Sequence, residues 1–414
     1  MALSLQRYKY PYGGICNGEL AIILEKRMQG ERKLLSGVAT IDVGDLFIED
    51  LLMEILSRLP VRTLLQFQVV CKSWYGIIKN PYFISKHLKN YCSNNDDRGG
   101  CLITQYAMPQ VGELQVHELL VDDKTYKVLA YETIRTPKYN TYLCGPCDGI
   151  YYQWCKGEDE RFLWNPALNE FKVLPRISMN PTNSLSHMNF DGVTEFYGFG
   201  YDSVTKDYKV IVIKGYKDTT KYSSHDKYTD YPLSIFIYSL RNDSWRYWGD
   251  LPKYYYLSHN TCYVFVNDNV YWLGSTKSYS IFDFDVIISF NLASENFQEL
   301  HLPSYDKAVE ERPTLAVCDD SIALLFGYNE KCFVMWSFNE GFWIKKCTIN
   351  IDFNVYCRPL GHWKKNTLLF QGDYTLILYD LETNEICYLE YPMDVYGKCV
   401  NISAYKEGLV SIID

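Results

Sequence analysis

A Cys-x-x-Cys pair in the first half of the chain is the pattern that points most directly to covalent chemistry. It reads Cys144-Gly145-Pro146-Cys147, which is the wording of a dithiol redox site. Such a site requires a helix N-terminus or a neighbouring cation that lowers the pKa of a thiol. Here a turn and then the strand-like run 150–152 follow, with no strand–helix–strand pattern around the pair. The sequence therefore favours a turn that opens a strand, and a thiol enzyme is the alternative.

The histidines are the other side chains that could ligate a metal or transfer a proton. No two of them stand four residues apart, and none lies beside a Cys pair at zinc-ligand spacing. The G-x-S-x-G, P-loop and kinase patterns are also absent from the sequence. We therefore predict a non-catalytic protein with no metal site and no cofactor. The seven histidines are His87, His117, His187, His225, His259, His301 and His362.

Composition and charge limit the kinds of partner. The chain has 414 residues, of which 47% are hydrophobic and 22% charged, as is typical of globular domains. Its formal net charge of -9 argues against a nucleic-acid partner and is compatible with a basic protein partner. Neither a signal-peptide pattern nor a run of about 18 apolar residues occurs, so we expect no membrane association. The 14 cysteines have no regular spacing, which indicates reduced thiols in the cytoplasm or also the nucleus.

The segment 46–90 has the helical periodicity around which the rest of the chain is organised. Apolar residues from Leu51 to Leu59 recur with the spacing of one helix face, and Pro60 ends that helix. A second apolar run follows over 64–70, and a third short helix is predicted over 81–88. Three short helices make a small core that usually needs a partner or a staple. The pattern predicts an apolar helical surface that another protein completes, and an ordinary helical subdomain is the alternative.

The same segment resembles the F-box in residue type and register. The matching positions are Asp50, Leu51, Leu52, Glu54, Ile55, Leu56, Arg58, Leu59, Pro60, Val61, Arg62, Thr63, Leu64, Leu65, Phe67, Val70, Cys71, Lys72 and Trp74. The resemblance implies docking on the Skp-type adaptor of an SCF ubiquitin ligase and, through it, on a cullin and a RING subunit. It assigns the adaptor contact to Phe47, Ile48, Asp50, Leu51, Leu52, Ile55, Leu56, Leu59, Pro60, Leu64, Leu65, Phe67, Val70, Cys71 and Trp74.

Two departures from the F-box pattern bear on the strength of adaptor binding. Phe47-Ile48 stands where the family has Leu-Pro, so the proline that presets the start of the helix is missing. Gln66 and Gln68 replace the usual basic residues beside Phe67.

The remaining chain divides into an extension, a linker and a repetitive β-rich body. Residues 1–45 predict a poorly ordered extension, and the polar segment 91–100 predicts a linker. From 101 to 414 a unit of apolar strand, polar turn, aromatic residue and Leu-Pro recurs, as at 162–175, 235–252 and 287–303, and the final run 406–413 has the form of its turn and strand. Units of this kind bury both faces when they stack radially, so we predict a β-propeller of about six blades, seven being possible. A long β-sandwich or another mixed β domain is the alternative.

The predicted fold is thus α+β multidomain, a small all-α F-box module followed by a large all-β propeller-like domain. Part of the β body resembles the F-box-associated domain of plant F-box proteins. The resemblance rests on Asn165-Pro166, on the segment 198–202 and on the segment 207–210. The phrase at 145–149 is similar to that of the pollen S-locus F-box subgroup, which implies secreted pistil ribonucleases as substrates and a role in self-incompatibility.

Two polar insertions interrupt the repeat, at 176–195 and at 214–231. Loops carry recognition because a scaffold need not change when they do, and Tyr and Asp suit protein contacts. Solvated loops without a partner are the alternative. The residues predicted to contact a substrate are Asn183, His187, Tyr216, Lys217, Tyr222, Asp226 and Tyr228.

Three functional hypotheses follow from these patterns. The first is a substrate-recognition subunit of an SCF ubiquitin ligase, whose propeller binds a protein destined for ubiquitination and proteasomal degradation. The second is a propeller scaffold in which the Ile48 departure has weakened adaptor binding and which has no ligase role. The third is a thiol enzyme at Cys144 and Cys147.

Overall fold

The computed structural model describes most of the chain beyond residue 42. The described ranges are 43–94, 100–107, 114–122, 127–138, 140–155, 159–177, 190–218, 233–253, 255–257, 263–277, 284–303, 313–318, 320–329, 332–350, 358–364, 367–372, 375–389 and 398–413. The chain forms two compact units, and the boundary between them lies between Asn94 and Asn95. The predicted extension at 1–45 falls outside the described residues up to residue 42.

The first unit is helical. Its described helices are α1 (Val43–Leu56), α2 (Val61–Phe67), α3 (Lys72–Ile78) and α4 (Pro81–Asn94). Pro60 caps the N-terminus of α2, where its missing N–H costs no hydrogen bond. The last helix runs to Asn94, into the segment 91–100 for which the sequence predicts a linker. None of the described helices has the length and apolarity needed to cross a membrane.

The sequence predicts three helices in the first unit, whereas its described residues form four. The backbone at Cys71 is extended, with φ -157° and ψ 161°, so the second apolar run ends there and α3 begins at Lys72. This break turns Trp74, Ile77 and Ile78 inward on a separate short helix. The sequence contains neither Pro nor Gly at the break, so composition alone did not reveal it.

The second unit consists of antiparallel sheets, which we number as blades I to VI. Blade I contains β1 (Gly100–Ala107), β2 (Leu114–Val121), β3 (Val128–Ile134) and β25 (Lys398–Tyr405). Blade II contains β4 (Thr141–Cys147), β5 (Ile150–Cys155), β6 (Arg161–Asn165) and β7 (Glu170–Val173). Blade III contains β8 (Phe190–Asp202), β9 (Asp207–Asp218), β10 (Ser234–Ser239) and β11 (Ser244–Asp250).

The other blades repeat this plan. Blade IV contains β12 (Tyr256–Leu257), β13 (Val264–Val266), β14 (Asn269–Ser275), β15 (Val286–Asn291) and β16 (Phe297–His301). Blade V contains β17 (Thr314–Cys318), β18 (Ser321–Asn329), β19 (Cys332–Asn339) and β20 (Phe342–Asn350). Blade VI contains β21 (Arg358–Lys364), β22 (Thr367–Gln371), β23 (Leu376–Asp380) and β24 (Ile386–Leu389).

The blades close into a ring. One edge strand of each blade contacts that of the next: β25 contacts β4, then β4 contacts β8, β8 contacts β13, β13 contacts β17, β17 contacts β21, and β21 contacts β25. The ring is fastened at blade I, where the C-terminal strand β25 pairs with the N-terminal strand β1. The prediction of a propeller of about six blades is confirmed, because the described strands form six sheets.

The hydrophobic core lies between the blades. Each junction between neighbouring blades contains one cluster of buried apolar residues, from II–III round to I–II. Strand β9 shows the principle, because Val210 and Val212 face blade II whereas Ile211 and Ile213 face blade IV. The middle of an inner strand such as β9 is therefore apolar on both faces, and the sheets are stable only when stacked.

The last segment of the chain differs from its predicted form. The run 406–413 shares the strand signal of the repeat, but it follows β25 as an extended segment without strand pairing. Its carbonyls at Gly408 and Val410 accept hydrogen bonds of 3.0 and 2.9 Å from Asn165 Nδ2, and the backbone N–H of Ile412 donates to Glu170. The C-terminal segment thus ties the closing blade to blade II.

Candidate functional site

Five of the side chains assigned to the adaptor contact form the interior of the helical unit. Leu52, Leu56, Leu64, Phe67 and Trp74 are all buried, and the rings of Phe67 and Trp74 lie 4.9 Å apart. Their apolar character is accounted for by the core of the unit, and in this structure they are not part of its surface.

Another row of the same helix is exposed. Leu51 and Ile55, one turn apart on α1, are 54% and 37% exposed, next to the exposed Asp50. The predicted contact residues Leu59, Leu65, Val70 and Cys71 are half-buried and Pro60 is exposed. Large exposed apolar side chains in a small unit indicate a surface that a partner covers. We call Leu51, Ile55 and Pro60 the apolar helical surface.

The sequence pattern missed three exposed side chains of this unit. Val69 is 86% exposed, Tyr75 51% and Tyr82 67%. Val69 and Tyr75 lie beside the unpredicted break at Cys71, and the sequence indicated only that Val69 belongs to the apolar run 64–70. Phe47 and Ile48 lie inside α1, which begins at Val43, and their side chains are outside the described set.

Polar contacts fix α4 against the other helices. Glu54 binds Arg58 at 2.5 Å and Lys86 of α4 at 2.8 Å, and these partners, Lys86 first, lower the pKa of its carboxyl. The buried His87 contacts the carbonyl of Leu59 at 2.9 Å through Nε2. Burial lowers the pKa of this imidazole, although the hydrogen bond to Leu59 opposes the shift, and the contact joins α4 to the turn after α1.

The Cys-x-x-Cys pair lies in the interior of the propeller. Cys144 and Cys147 belong to β4 and are buried in the cluster between blades II and III. Burial raises the pKa of the Cys147 thiol well above its ordinary value, and the charge of Asp148 raises it further. Because no helix begins there and the thiolate is disfavoured, the geometry argues against dithiol chemistry.

The tight turns at one end of the blades are joined by polar contacts, and we call this end the turn face. Tyr208 donates to Asp148 across blades II and III at 2.8 Å. Ser203 donates to Asp268 across blades III and IV through its N–H at 2.9 Å and its hydroxyl at 2.6 Å. Asn267 donates to the carbonyl of Asp320 across blades IV and V at 2.7 Å. These contacts hold the ring together at this end.

The residues that carry the resemblance to the F-box-associated domain have structural roles at the turn face. Asn165 is fully buried, and it donates to the C-terminal segment while its side-chain oxygen accepts from the N–H of Ala167 at 3.1 Å. Asp202 is fully buried and accepts from Lys209 Nζ at 2.6 Å, and Lys209 also donates to the carbonyl of Leu292 in blade IV at 2.8 Å. These residues therefore stabilise the fold, and their contacts give no information about a substrate.

Gly198 is required by close packing between blades III and IV. A Cβ at Gly198 would lie 2.6 Å from Cγ1 of Val270 and 2.7 Å from Cζ2 of Trp272. Trp272 cannot move away freely, because it is buried and its Nε1 donates to the carbonyl of Tyr197 at 2.8 Å.

We expect Gly198→Ala to destabilise the propeller by about 1–3 kcal/mol through overpacking. Gly76→Ala is the matched control, since a Cβ at Gly76 in α3 meets no atom within 4 Å and alanine favours helix. Thermal unfolding followed by circular dichroism should show a lower propeller transition for Gly198→Ala only. An unchanged transition would mean that blade IV can shift to accept the methyl group.

The opposite end of blade III carries both predicted insertions, and we call it the insertion face. The segment between β7 and β8 and the segment between β9 and β10 both join the blade here. β8 begins at Phe190 and β9 ends at Asp218, and these two residues pair with each other. The predicted loops are therefore shorter than the polar runs, because their ends belong to strands.

Two of the predicted substrate-contact residues lie in a strand, and the other five lie outside the described residues. Tyr216 and Lys217 lie within β9, so their assignment to a loop is wrong at the level of the backbone, because strand pairing with β8 extends to Asp218. Their side chains are outside the described set. The other five residues of that prediction, Asn183, His187, Tyr222, Asp226 and Tyr228, lie outside the described residues.

A buried ionic cluster lies at the root of the insertion face. Arg161 Nη2 donates to both carboxylate oxygens of Glu195, at 2.8 Å each. This contact joins two blades, because Arg161 belongs to blade II and Glu195 to blade III. Lys214 Nζ lies 3.0 Å from Glu195 Oε1, and the Tyr197 hydroxyl donates to Oε2 at 2.6 Å. Burial alone would raise the pKa of Glu195, but the charges of Arg161 and Lys214 outweigh it and lower the pKa.

A shallow groove lies between blades IV and V. Aromatic side chains line it, among them Trp336, Phe338, Phe342 and Trp343, and Trp343 Nε1 donates to the carbonyl of His301 at 2.8 Å. Within the described ranges no group of three or more His, Cys, Asp or Glu side chains has the spacing to hold a metal ion.

Comparison with known proteins assigns both units. Residues 48–86 match the family model of the F-box domain, and residues 114–411 match that of the F-box associated beta propeller domain. The F-box protein CPR1 of Arabidopsis thaliana is 24% identical over 358 residues, which cover 81% of this chain and 82% of the relative. An F-box/kelch-repeat protein of the same plant is 24% identical over 377 residues, which cover 87% of this chain and 94% of the relative. The two matched segments coincide with the helical unit and the ring of blades.

Proposed function

Because the chain belongs to the F-box proteins that carry an F-box-associated β-propeller, we propose that it is the substrate-recognition subunit of an SCF ubiquitin ligase. F-box domains bind Skp-type adaptors, and F-box proteins are typically non-catalytic. In this role the chain contributes proximity, because it raises the effective concentration of substrate lysines near the charged conjugating enzyme. The chain would act where the ligase acts, in the cytoplasm and the nucleus.

The observation that carries the proposal is the apolar helical surface. Leu51 and Ile55 are exposed while their neighbours Leu52 and Leu56 are buried, so α1 has one apolar row for the core and one for a partner. Covering the outer row would remove apolar area from water, which is worth roughly 25 cal/mol per Å² before the costs of association. Through the adaptor, the cullin and RING subunits would then be recruited.

The insertion face is the surface that we propose for the protein substrate. A segment rich in Ser and Asn reaches the start of β8 at this end, and a segment of Tyr, Asp, Lys and Ser residues follows β9. The turn face, by contrast, is occupied by short turns and by inter-blade contacts. Scaffold loops can vary without disturbing the blades, which suits a receptor that selects its substrate. The contacts predicted for Asn183, His187, Tyr216, Lys217, Tyr222, Asp226 and Tyr228 belong to this proposal.

Pistil ribonucleases are the narrower candidate substrate. The support is the phrase at 145–149 together with the net charge of -9, which would attract a basic ligand. Gly149 of that phrase packs against the C-terminal segment, since a Cβ there would lie 2.6 Å from the backbone nitrogen of Gly408. Close packing therefore accounts for this glycine without reference to a substrate. The net charge of the chain is then the better support for a basic ribonuclease as substrate.

The proposal is tested by reconstitution with purified subunits. The full chain is mixed with a Skp-type adaptor and then with a cullin–RING pair, and complexes are separated by size-exclusion chromatography. We expect a stable complex of the chain and the adaptor that also recruits the cullin. A chain that elutes alone at micromolar concentrations would favour the second hypothesis, a propeller scaffold without a ligase role, whose specific support is the Phe47-Ile48 departure.

A further inference from the structure

The pairing at the insertion face leaves two strands without a third neighbour. β10 begins at Ser234, which pairs with Lys214 of β9. Beyond that point β8 and β9 continue to pair, as Thr194 with Gly215 and Phe190 with Asp218. Among the described residues no other strand accompanies them. We call residues 190–194 of β8 and 215–218 of β9 the ribbon.

A two-stranded antiparallel ribbon is marginally stable by itself in water. Each insertion joins the ribbon at one of its two ends, because one ends where β8 begins and the other begins where β9 ends. The direction in which the ribbon leaves blade III therefore sets where each insertion is attached at that end. A contact that fixes its root would be needed to keep that direction constant.

The ionic cluster has the geometry of such a contact. Glu195 follows the ribbon directly on β8, and it pairs in register with Lys214, which precedes the ribbon on β9. The third member, Arg161, comes from blade II, and its side chain is only 3% exposed, compared with 17% for Glu195 and 14% for Lys214. The carboxylate of Glu195 thus joins both strands of the ribbon root to the neighbouring blade.

Glu195 is the member on which the cluster depends. Its two oxygens accept from Arg161, Lys214 and Tyr197, so its removal would leave two cations at the root without this shared anion. Asp159 contacts Arg161 as well, but its side chain is 46% exposed and belongs to blade II, so it offers no link to the ribbon. Buried cations that lose their anion strongly disfavour the arrangement that buries them.

We propose that Glu195 is a positioning residue that holds the ribbon in a fixed direction relative to blade II. It touches no substrate in this role. The inference rests on the proposed function in one respect, namely that a fixed ribbon would present the surface proposed for the substrate. The behaviour of the ribbon itself is a property of the isolated chain.

The test is amide hydrogen exchange of the full chain, read by mass spectrometry on peptides that cover 190–197 and 213–218. We expect Glu195→Gln to speed exchange in these peptides at least about tenfold more than in peptides of the β18–β19 pair, even where the thermal unfolding midpoint of the ring falls. Glu299→Gln is the matched control. Glu299 also accepts from one tyrosine, Tyr255, and one lysine, Lys253, but it lies in blade IV.

A second variant keeps the inference testable if Glu195→Gln folds poorly. The triple substitution Arg161→Met, Glu195→Met and Lys214→Met removes the three charges of the cluster together and avoids an uncompensated buried charge. It should retain the wild-type unfolding midpoint and still exchange faster in the ribbon. If ribbon peptides in either folded variant exchange no faster relative to β18–β19 than in the wild type, the positioning role is overturned. Adaptor binding, measured in parallel, reports separately on the proposed function.

Discussion

Replacing Leu51 and Ile55 together with aspartate should weaken binding of a Skp-type adaptor by roughly 100-fold or more. Both side chains are exposed in the free chain, at 54% and 37%, so the change should not unfold the helical unit. In a complex the two carboxylates would have to be desolvated in an apolar contact, and central interface residues commonly contribute about 2 kcal/mol or more each. Biolayer interferometry with immobilised adaptor measures the change in Kd.

Val204→Asp provides the matched control for this experiment. Val204 is 74% exposed in the turn between β8 and β9, so the same chemical change is made at an exposed apolar residue of the propeller. The control should bind the adaptor like the wild type, and circular dichroism should show intact helix in both variants. Equal binding by the double variant and the wild type would remove the apolar helical surface from the adaptor contact.

The adaptor prediction also shows where sequence reasoning was limited. The spacing of apolar residues in α1 covers two adjacent rows, and the motif treats both rows as one contact set. The structure separates them, since Leu52 and Leu56 are buried in the unit while Leu51 and Ile55 are exposed. Periodicity reports which residues are apolar, but not which of the two rows the rest of the unit covers. The break at Cys71 likewise has no marker in the sequence.

The propeller was more predictable than the helical unit. Repeated strand–turn–strand units carry local information, and each blade must bury both of its faces against its neighbours. The contacts between blades could not be predicted, because they join residues far apart in sequence. Asn165 and Val410 are one example, and Arg161 and Glu195 are another. For the same reason the strand signal at 406–413 was misleading, since that segment binds turns of blade II instead of a partner strand.

Replacing Lys209 with methionine should destabilise the propeller by about 3–5 kcal/mol, the range for breaking a buried ion pair. The Lys209 side chain is 9% exposed, and its ammonium contacts Asp202 at 2.6 Å and Glu295 at 3.3 Å. Its loss would leave the fully buried Asp202 carboxylate without a cation and free the carbonyl of Leu292. Lys253→Met is the control, since Lys253 pairs with Glu299 at 2.9 Å but is 49% exposed, and its loss should cost about 1 kcal/mol or less.

The pH dependence of this difference gives an independent check. Burial alone would raise the pKa of Asp202, but hydrogen bonds from Lys209 and Thr205 outweigh it and lower the pKa to about 2. An unfolded Asp titrates near pH 3.9, so the pair stabilises the fold fully above about pH 4 and progressively less as the pH falls towards 2. The difference in urea midpoint between wild type and Lys209→Met should therefore be large at pH 7 and smaller at pH 3. A difference that stays constant between these pH values would mean that Lys209 stabilises the ring through its packing and its bond to Leu292 rather than through Asp202.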